Sequence, residues 1–203
     1  MKSGLVDRID VSQYRLALHL GLAVLIFALL IWTYLDLGAE TRPASVDLDT
    51  LTKGASATAH ILAALVFLQV LLGALVAGLK AGKTYNTWPL MDGALVPGGL
   101  LIQQPWYRNL FENPATVQFN HRILAYVVVT LAVWHAWRVV RMADARRART
   151  SALAVAVLAL AQSAIGIWTL LAWVPISLGV AHQVGALALM AASVAHLHAI
   201  RRY

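Results

Sequence analysis

YRLALHLGLAVLIFALLIWTY, residues Tyr14 to Tyr34, carries a single formal charge, Arg15, in 21 positions. A helix of that length covers about 30 Å, the thickness of a bilayer's hydrocarbon core. Four further runs read the same way, from about Ala57 to Leu79, Val117 to Val140, Ser151 to Trp173 and Ile176 to Ala199. The fold expected is therefore all-α, a polytopic membrane helical bundle of five transmembrane helices.

Composition agrees with this reading. The chain has 203 residues, of which 60% are hydrophobic and 12% charged, about half the charge of an ordinary soluble domain. It has no cysteine, which excludes disulfides, thiolate metal sites and iron–sulfur clusters. The formal net charge of +7 does not indicate nucleic acid as a partner, because the basic residues sit in short loops between apolar runs, where they orient a membrane protein.

Residues 1–13 read as an outer segment and 14–36 as the first span. Residues 37–56 form a polar link with Gly38, Pro43, Asp47 and Asp49, and 57–203 carry the other four spans. The long link, 80–116, is rich in Trp, Pro, Gly and Asn, which predicts an ordered cap on the membrane surface. Val174-Pro175 predicts a tight turn between the last two spans. Arg138, Arg141, Arg146, Arg147 and Arg149 cluster after the third span, and Arg42, Lys53, Arg201 and Arg202 share their side, nine positives in all. Lys2, Arg8, Arg15, Lys80, Lys83 and Arg108 make six on the other. The positive-inside rule then places the C-terminus in the cytoplasm and the 80–116 loop outside. An outward N-terminus with no signal-like apolar region in residues 1–13 is awkward, as if the chain began partway through a longer one.

Ionisable side chains inside a membrane are candidates for function. His19, His121 and His182 each fall four to six residues into a span that runs inward from the outer face, so they share one depth. Two neutral imidazoles on facing helices hold heme iron from both sides. The competing role is hydrogen bonding between helices. Zinc is disfavoured, since no carboxylate lies at that level. A second pattern is open: His121 and His135 are 14 residues apart, as are His182 and His196, about 21 Å along one helix face. Two stacked hemes in an electron-carrying cytochrome b would need that spacing. Against this, His135, His196 and His198 stand near Arg138, Arg201 and Arg202, where a half-solvated interfacial histidine is ordinary. His60 lies at a span entrance. A transporter or structural protein whose histidines only pack is a third reading.

The outer loop carries a resemblance. GALVAGLKAGKTYNTWPLMDG (Gly73 to Gly93) and PWYRNLFENPATVQFNHRILAY (Pro105 to Tyr126) resemble heme A synthase, with SQYRLALHLGLA (Ser12 to Ala23) and AHQVGALAL (Ala181 to Leu189) in keeping. The missing loop cysteines resemble the proteobacterial and mitochondrial branch. The resemblance implies a bacterial inner-membrane oxidoreductase that converts heme O to heme A by successive oxygenations of the C8 methyl group and loss of water. It implies eight helices in two similar four-helix halves, so this chain would hold the last helix of one half and all of the second. His121 and His182 would then ligate a resident heme b, and His19 the iron of the substrate heme O. Gln118 stands where the other half has its catalytic Glu, and no catalytic residue is expected within this chain. Taken alone, a chain that lacks the first three helices is expected to be inactive. Implied partners are the lipid bilayer, heme O and heme A, an electron donor, and heme O synthase or a second copy of the chain.

Arg122 and Arg108 are the candidates to pair with heme propionates, against plain interfacial snorkelling. Trp88, Trp106 and Tyr107 read as an aromatic belt, Asp92 and Glu112 as loop-ordering residues, and Gln69 and Gln162 as interhelical hydrogen bonders. Gly73, Gly78 and the alanines from Ala152 to Ala164 are expected to allow close helix packing.

Overall fold

Where no water is available, a backbone must satisfy its own N–H and C=O groups, and the apolar runs of this chain do so as helices. In the computed structural model, which describes residues 12–38, 49–142 and 146–201, the long helices are α1 (Gln13–Leu37), α2 (Asp49–Gly78), α4 (Pro114–Met142), α5 (Arg146–Leu171) and α6 (Ile176–Arg201). A four-residue helix, α3 (Asn109–Glu112), and two 3₁₀ turns lie in the long loop. All five long helices are apolar enough over enough length to cross a membrane, so the chain is a multi-pass membrane protein. Much of the 1–13 and 37–56 segments, with Lys2, Arg8 and Arg42, lies outside the described residues, as does Arg202.

The second helix starts at Asp49, well before the expected Ala57. Helical hydrogen bonding continues past the end of an apolar run, here back through Lys53 and Thr52. The start of α4 follows local chemistry: Asn113 Oδ1 accepts the N–H groups of Ala115 at 2.9 Å and Thr116 at 3.3 Å, with Pro114 at the first helical position, where no N–H is missed.

Helices α2, α4, α5 and α6 form a closed ring in which each packs on the next, leaving α4 and α6 across one diagonal. Helix α1 leans on α2 and α6 from outside and is the least enclosed of the five. Midway along the ring, Leu62, Val66, Val128, Ala132, Val155, Ala159, Leu189, Met190 and Val194 form an apolar layer, joined by Val24 of α1. Towards the arginine-rich end Ala59, Ala136, Ala148, Ala152 and Ala156 join Val139 and Ile200 in the interior, the alanines letting helix backbones approach. At that end His198 Nε2 lies 2.9 Å from Asp36 Oδ1 and ties α6 to α1. At the other end the α5–α6 turn places Trp173 (φ 63°) and Val174 (φ 56°) in left-handed conformations, held by a bond from Val174 N to Thr169 O of 2.9 Å.

The 80–116 loop is ordered by two buried asparagines. Asn109 Nδ2 donates to Gln103 O and Trp106 O at 2.9 and 2.7 Å, and Asn113 Nδ2 donates to Gly99 O at 2.8 Å. Trp88, Trp106 and Tyr107 are exposed. Glu112 links the loop to α1, accepting from Tyr14 Oη at 2.8 Å and from Arg108 Nε at 3.0 Å. The Tyr14 hydroxyl first, and the Arg108 guanidinium after it, hold the Glu112 carboxyl below its usual range.

Two outcomes follow from these contacts. A Cβ on Gly78 would stand 2.6 Å from Gln13 Cα of α1, whereas one on Gly179 would meet nothing within 4 Å. Gly78→Ala is therefore expected to lower thermal stability in detergent, by about 1–3 kcal/mol as overpacking, and Gly179→Ala to leave it unchanged. For Glu112, the folded pKa lies below the unfolded one, so its contribution is present above the unfolded value near 4.5 and is lost as pH falls through the folded value. Glu112→Gln should thus flatten the acid side of the melting-temperature profile, and an unaltered profile would refute the link.

Candidate functional site

Polar side chains inside the ring fall into two levels, one at each end of the apolar layer. At the loop end stand His121 of α4 and His182 of α6, on the two helices across the diagonal of the ring. Each ring is clamped by a glutamine from a flanking helix. Gln69 Nε2 of α2 donates to His121 O at 3.0 Å and stands 3.1 Å from His121 Nδ1. Gln162 Nε2 of α5 donates to His182 O at 2.7 Å and stands 3.1 Å from His182 Nδ1. One turn further along, Gly73 and Gly166 face the same rings, where a Cβ would lie 3.3 Å from His121 Cε1 and 2.8 Å from His182 Cε1. Gly73 thus makes room for an imidazole of the neighbouring helix.

Arg122, beside the first of these histidines, donates through Nη2 to Tyr85 O at 3.1 Å, while its Nε is buried without a partner. Gln118 Nε2 donates to Tyr85 O at 2.7 Å. Arg108 is engaged by Glu112, with Nη2 2.9 Å from Oε2. His19 is exposed on α1, and among the described residues no three His, Asp or Glu side chains gather as a metal site. The three-histidine level read from the sequence therefore separates into a clamped pair and a solitary His19 on the outside of α1.

At the arginine-rich end, His135 Nε2 and His196 Nε2 are 2.7 Å apart, and each residue is only 1% exposed. Thr58 Oγ1 lies 2.8 Å from His135 Nδ1, and Ser151 Oγ 2.8 Å from His196 Nδ1. His198, 7% exposed, faces Asp36 and the edge of Trp32. None of the three is the half-solvated interfacial residue expected beside Arg138 and Arg201. Their rings turn inward because hydrogen-bond partners are available on neighbouring helices. His60 is exposed, its Nδ1 2.8 Å from Ser56 O of the preceding turn.

The two halves of the ring repeat one pattern. Thr58, Gln69 and Gly73 on α2 recur 93 positions later as Ser151, Gln162 and Gly166 on α5, and His121 and His135 on α4 recur 61 positions later as His182 and His196 on α6. The glutamine-to-glycine spacing of four in both helices was the signal available in the sequence for the clamps, and the hydroxyl 11 positions earlier the signal for the inner pair. Removing one member of that inner pair leaves a buried imidazole nitrogen unsatisfied, costing about 1–3 kcal/mol. His135→Leu and His196→Leu should each lower the melting temperature, and the double variant should recover part of the loss. Strict additivity in the double-mutant cycle would refute the direct bond.

Comparison with known proteins places this geometry in a family. The model of the COX15-CtaA cytochrome oxidase assembly proteins matches residues 1–194. The heme A synthase of Parvibaculum lavamentivorans is 52% identical over 202 residues, 98% of this chain and 55% of the relative. That of Sinorhizobium medicae is 51% identical over 197 residues, 97% of this chain and 52% of the relative, and that of Agrobacterium fabrum 48% over 196 residues, with 97% and 52% covered. The chain spans about half the length of these curated relatives. No solved structure shows a significant match. With its five spans, its duplicated histidine helices and a match over almost its whole length, the chain belongs to the COX15-CtaA family of cytochrome oxidase assembly proteins.

Proposed function

We propose that this chain provides the heme b site of a heme A synthase, the enzyme that oxidises the C8 methyl group of heme O to the formyl group of heme A, and that His121 and His182 hold the heme b iron. The observation that carries the reading is the clamped pair of imidazoles, one on each of two diagonal helices, at a single level of the ring. The residues present suit the group. Both donors are neutral nitrogen ligands, Gly73 and Gly166 leave open the space a Cβ would take beside each ring, and the two glutamines retain buried oxygens with no partner. Bound there, heme b would carry single electrons.

The chain's own residues then have distinct tasks. Gly73 and Gly166 admit the rings, and the apolar layer beneath excludes water. Arg122 is the better propionate anchor, because its Nε has no partner and the guanidinium already faces the loop carbonyls. Arg108 is the weaker one, since Glu112 already occupies it. His19, on the outer face of α1, takes the role of ligand to substrate heme O. With the arginine-rich end in the cytoplasm of a bacterial cell, the His121–His182 pair lies near the outer face of the plasma membrane.

The two-heme cytochrome reading fares worse on one distance. Iron between His135 and His196 would need about 4 Å between nitrogens, given metal–imidazole bonds of about 2 Å, and the two rings touch at 2.7 Å. A reduced-minus-oxidised optical spectrum of the detergent-purified chain, with heme quantified per protein, tests the proposal. One low-spin b-type heme per chain is expected, lost in His121→Ala and in His182→Ala and kept in His135→Leu. A spectrum indifferent to the first two variants would sink the ligand assignment, and two hemes per chain would restore the cytochrome.

A further inference from the structure

We propose that Gln69 and Gln162 are the positioning residues of the two heme-ligating imidazoles, each clamping its histidine by the backbone and offering the amide oxygen that accepts the ring proton once the other nitrogen is ligated. The inference rests on the heme b reading of His121 and His182.

Three observations lead to it. First, the arrangement is built twice, with Gln69 and Gly73 on α2 and Gln162 and Gly166 on α5 at the same spacing. Second, both amides approach the carbonyl oxygen of their histidine, at 3.0 and 2.7 Å, and its Nδ1, at 3.1 Å in each case, the Gln69 amide nitrogen lying also 3.3 Å from His121 Nε2. A glutamine serving only to join helices would have no reason to meet ring and carbonyl of one residue in both halves. Third, Gln69 Oε1 and Gln162 Oε1 are both buried with no hydrogen-bond partner. A buried acceptor left unpaired is an unfavourable state that native proteins seldom keep without a purpose.

Ligation provides the partner. A neutral imidazole that gives one nitrogen to a metal carries its proton on the other, which becomes a donor. In the present arrangement Nδ1 faces an amide NH₂, so it can only accept. With Nε2 as the ligating nitrogen, Nδ1–H needs an acceptor, and the orphaned oxygen on the same clamp is that group. A small turn of the amide presents Oε1 to the ring while the NH₂ keeps the histidine carbonyl. Such an acceptor fixes the ring plane and strengthens the imidazole as a donor to the iron.

The test uses Gln69→Leu, Gln69→Glu, Gln162→Leu and Gln162→Glu in the full chain, beside the wild type, His121→Ala and His182→Ala. Read out are heme per chain, the rate of heme loss to excess apomyoglobin, the midpoint potential and the ferric electron paramagnetic resonance spectrum. The Leu variants should lose heme about 10-fold faster or more and shift the potential upward. The Glu variants should keep heme and shift the potential downward, since a carboxylate draws the ring proton more strongly. Should a Leu variant fail to fold, the Glu variant decides: a downward shift supports the proposal, and an unmoved potential and resonance spectrum overturn it. Heme that depends on both histidines but is unmoved by all four glutamine variants removes this inference alone. A wild type without heme, or heme indifferent to both histidine variants, removes the heme reading and this inference with it.

Discussion

The hydrogen bond between His135 and His196, 2.7 Å from Nε2 to Nε2, joins two helices that share little other contact. Ring neighbours α2–α4, α4–α5, α5–α6 and α6–α2 pack along their lengths, and a directional bond adds a direct constraint on how far α4 and α6 slide relative to each other across the diagonal. Inside a bilayer an unpaired imidazole nitrogen has no water to turn to, so slippage by one turn would expose two buried polar atoms at about 1–3 kcal/mol each. With that register set, His121 and His182, each 14 residues nearer the loop, come to one level. That bond, about 21 Å away along the helices, and the two glutamine clamps together hold the level.

The loop end needs a different solution, because a helix there would carry the chain away from the site. Residues between α2 and α4 form no long helix, and the turns are held by side-chain amides in place of a backbone ladder. Asn109 and Asn113, both buried, bind Gln103, Trp106 and Gly99 and each other. Arg122 and Gln118 then draw the Tyr85 carbonyl down onto α4. The cap is therefore fastened to the same helix that carries His121, and loop order and histidine placement are coupled.

The five spans could be read in the sequence because hydrocarbon thickness sets helix length, and an uncharged apolar run of about 20 residues is longer than a soluble core needs. That His121 and His182 enter the ring from the same end, on α4 and α6, was legible from helix direction. The start of α2 was not, since the helix continues back from the apolar run to Asp49 through Lys53, Thr52 and Thr50. The inward burial of His135 and His196 was hidden for a related reason. Nearby arginines predict an interface, but burial depends on which way a ring faces, and that was decided by Thr58 and Ser151 on other helices. Gln69 and Gln162 were recognisable as hydrogen bonders, whereas their aim at the histidines emerges only once the ring is closed. His19 shows the limit of depth as a guide: read from the sequence at the level of the pair, it lies exposed on α1, apart from the clamped histidines.

Proton counting accounts for hydroxyls capping the inner pair and amides the outer one. Two neutral imidazoles carry two protons on four nitrogens, and the contact between them uses one. The second must sit on one Nδ1, so one of the two caps accepts a proton and the other donates one. Thr58 and Ser151 can do either, because each hydroxyl also reaches backbone carbonyls, Gly54 and Ala55 for one and Arg147 and Ala148 for the other. A hydroxyl that gives its proton to a carbonyl is an acceptor for the ring, and one that turns to the ring is a donor. The inner chain can therefore run in either direction with every nitrogen paired, which suits a bond whose task is to hold two helices in register. The outer histidines do not meet in such a bond, and each has its own cap. There the amide separates donor and acceptor onto two atoms, keeping the backbone contact through nitrogen while leaving oxygen uncommitted. A cap of that kind holds a ring in place before a ligand arrives and still has an acceptor to offer afterwards.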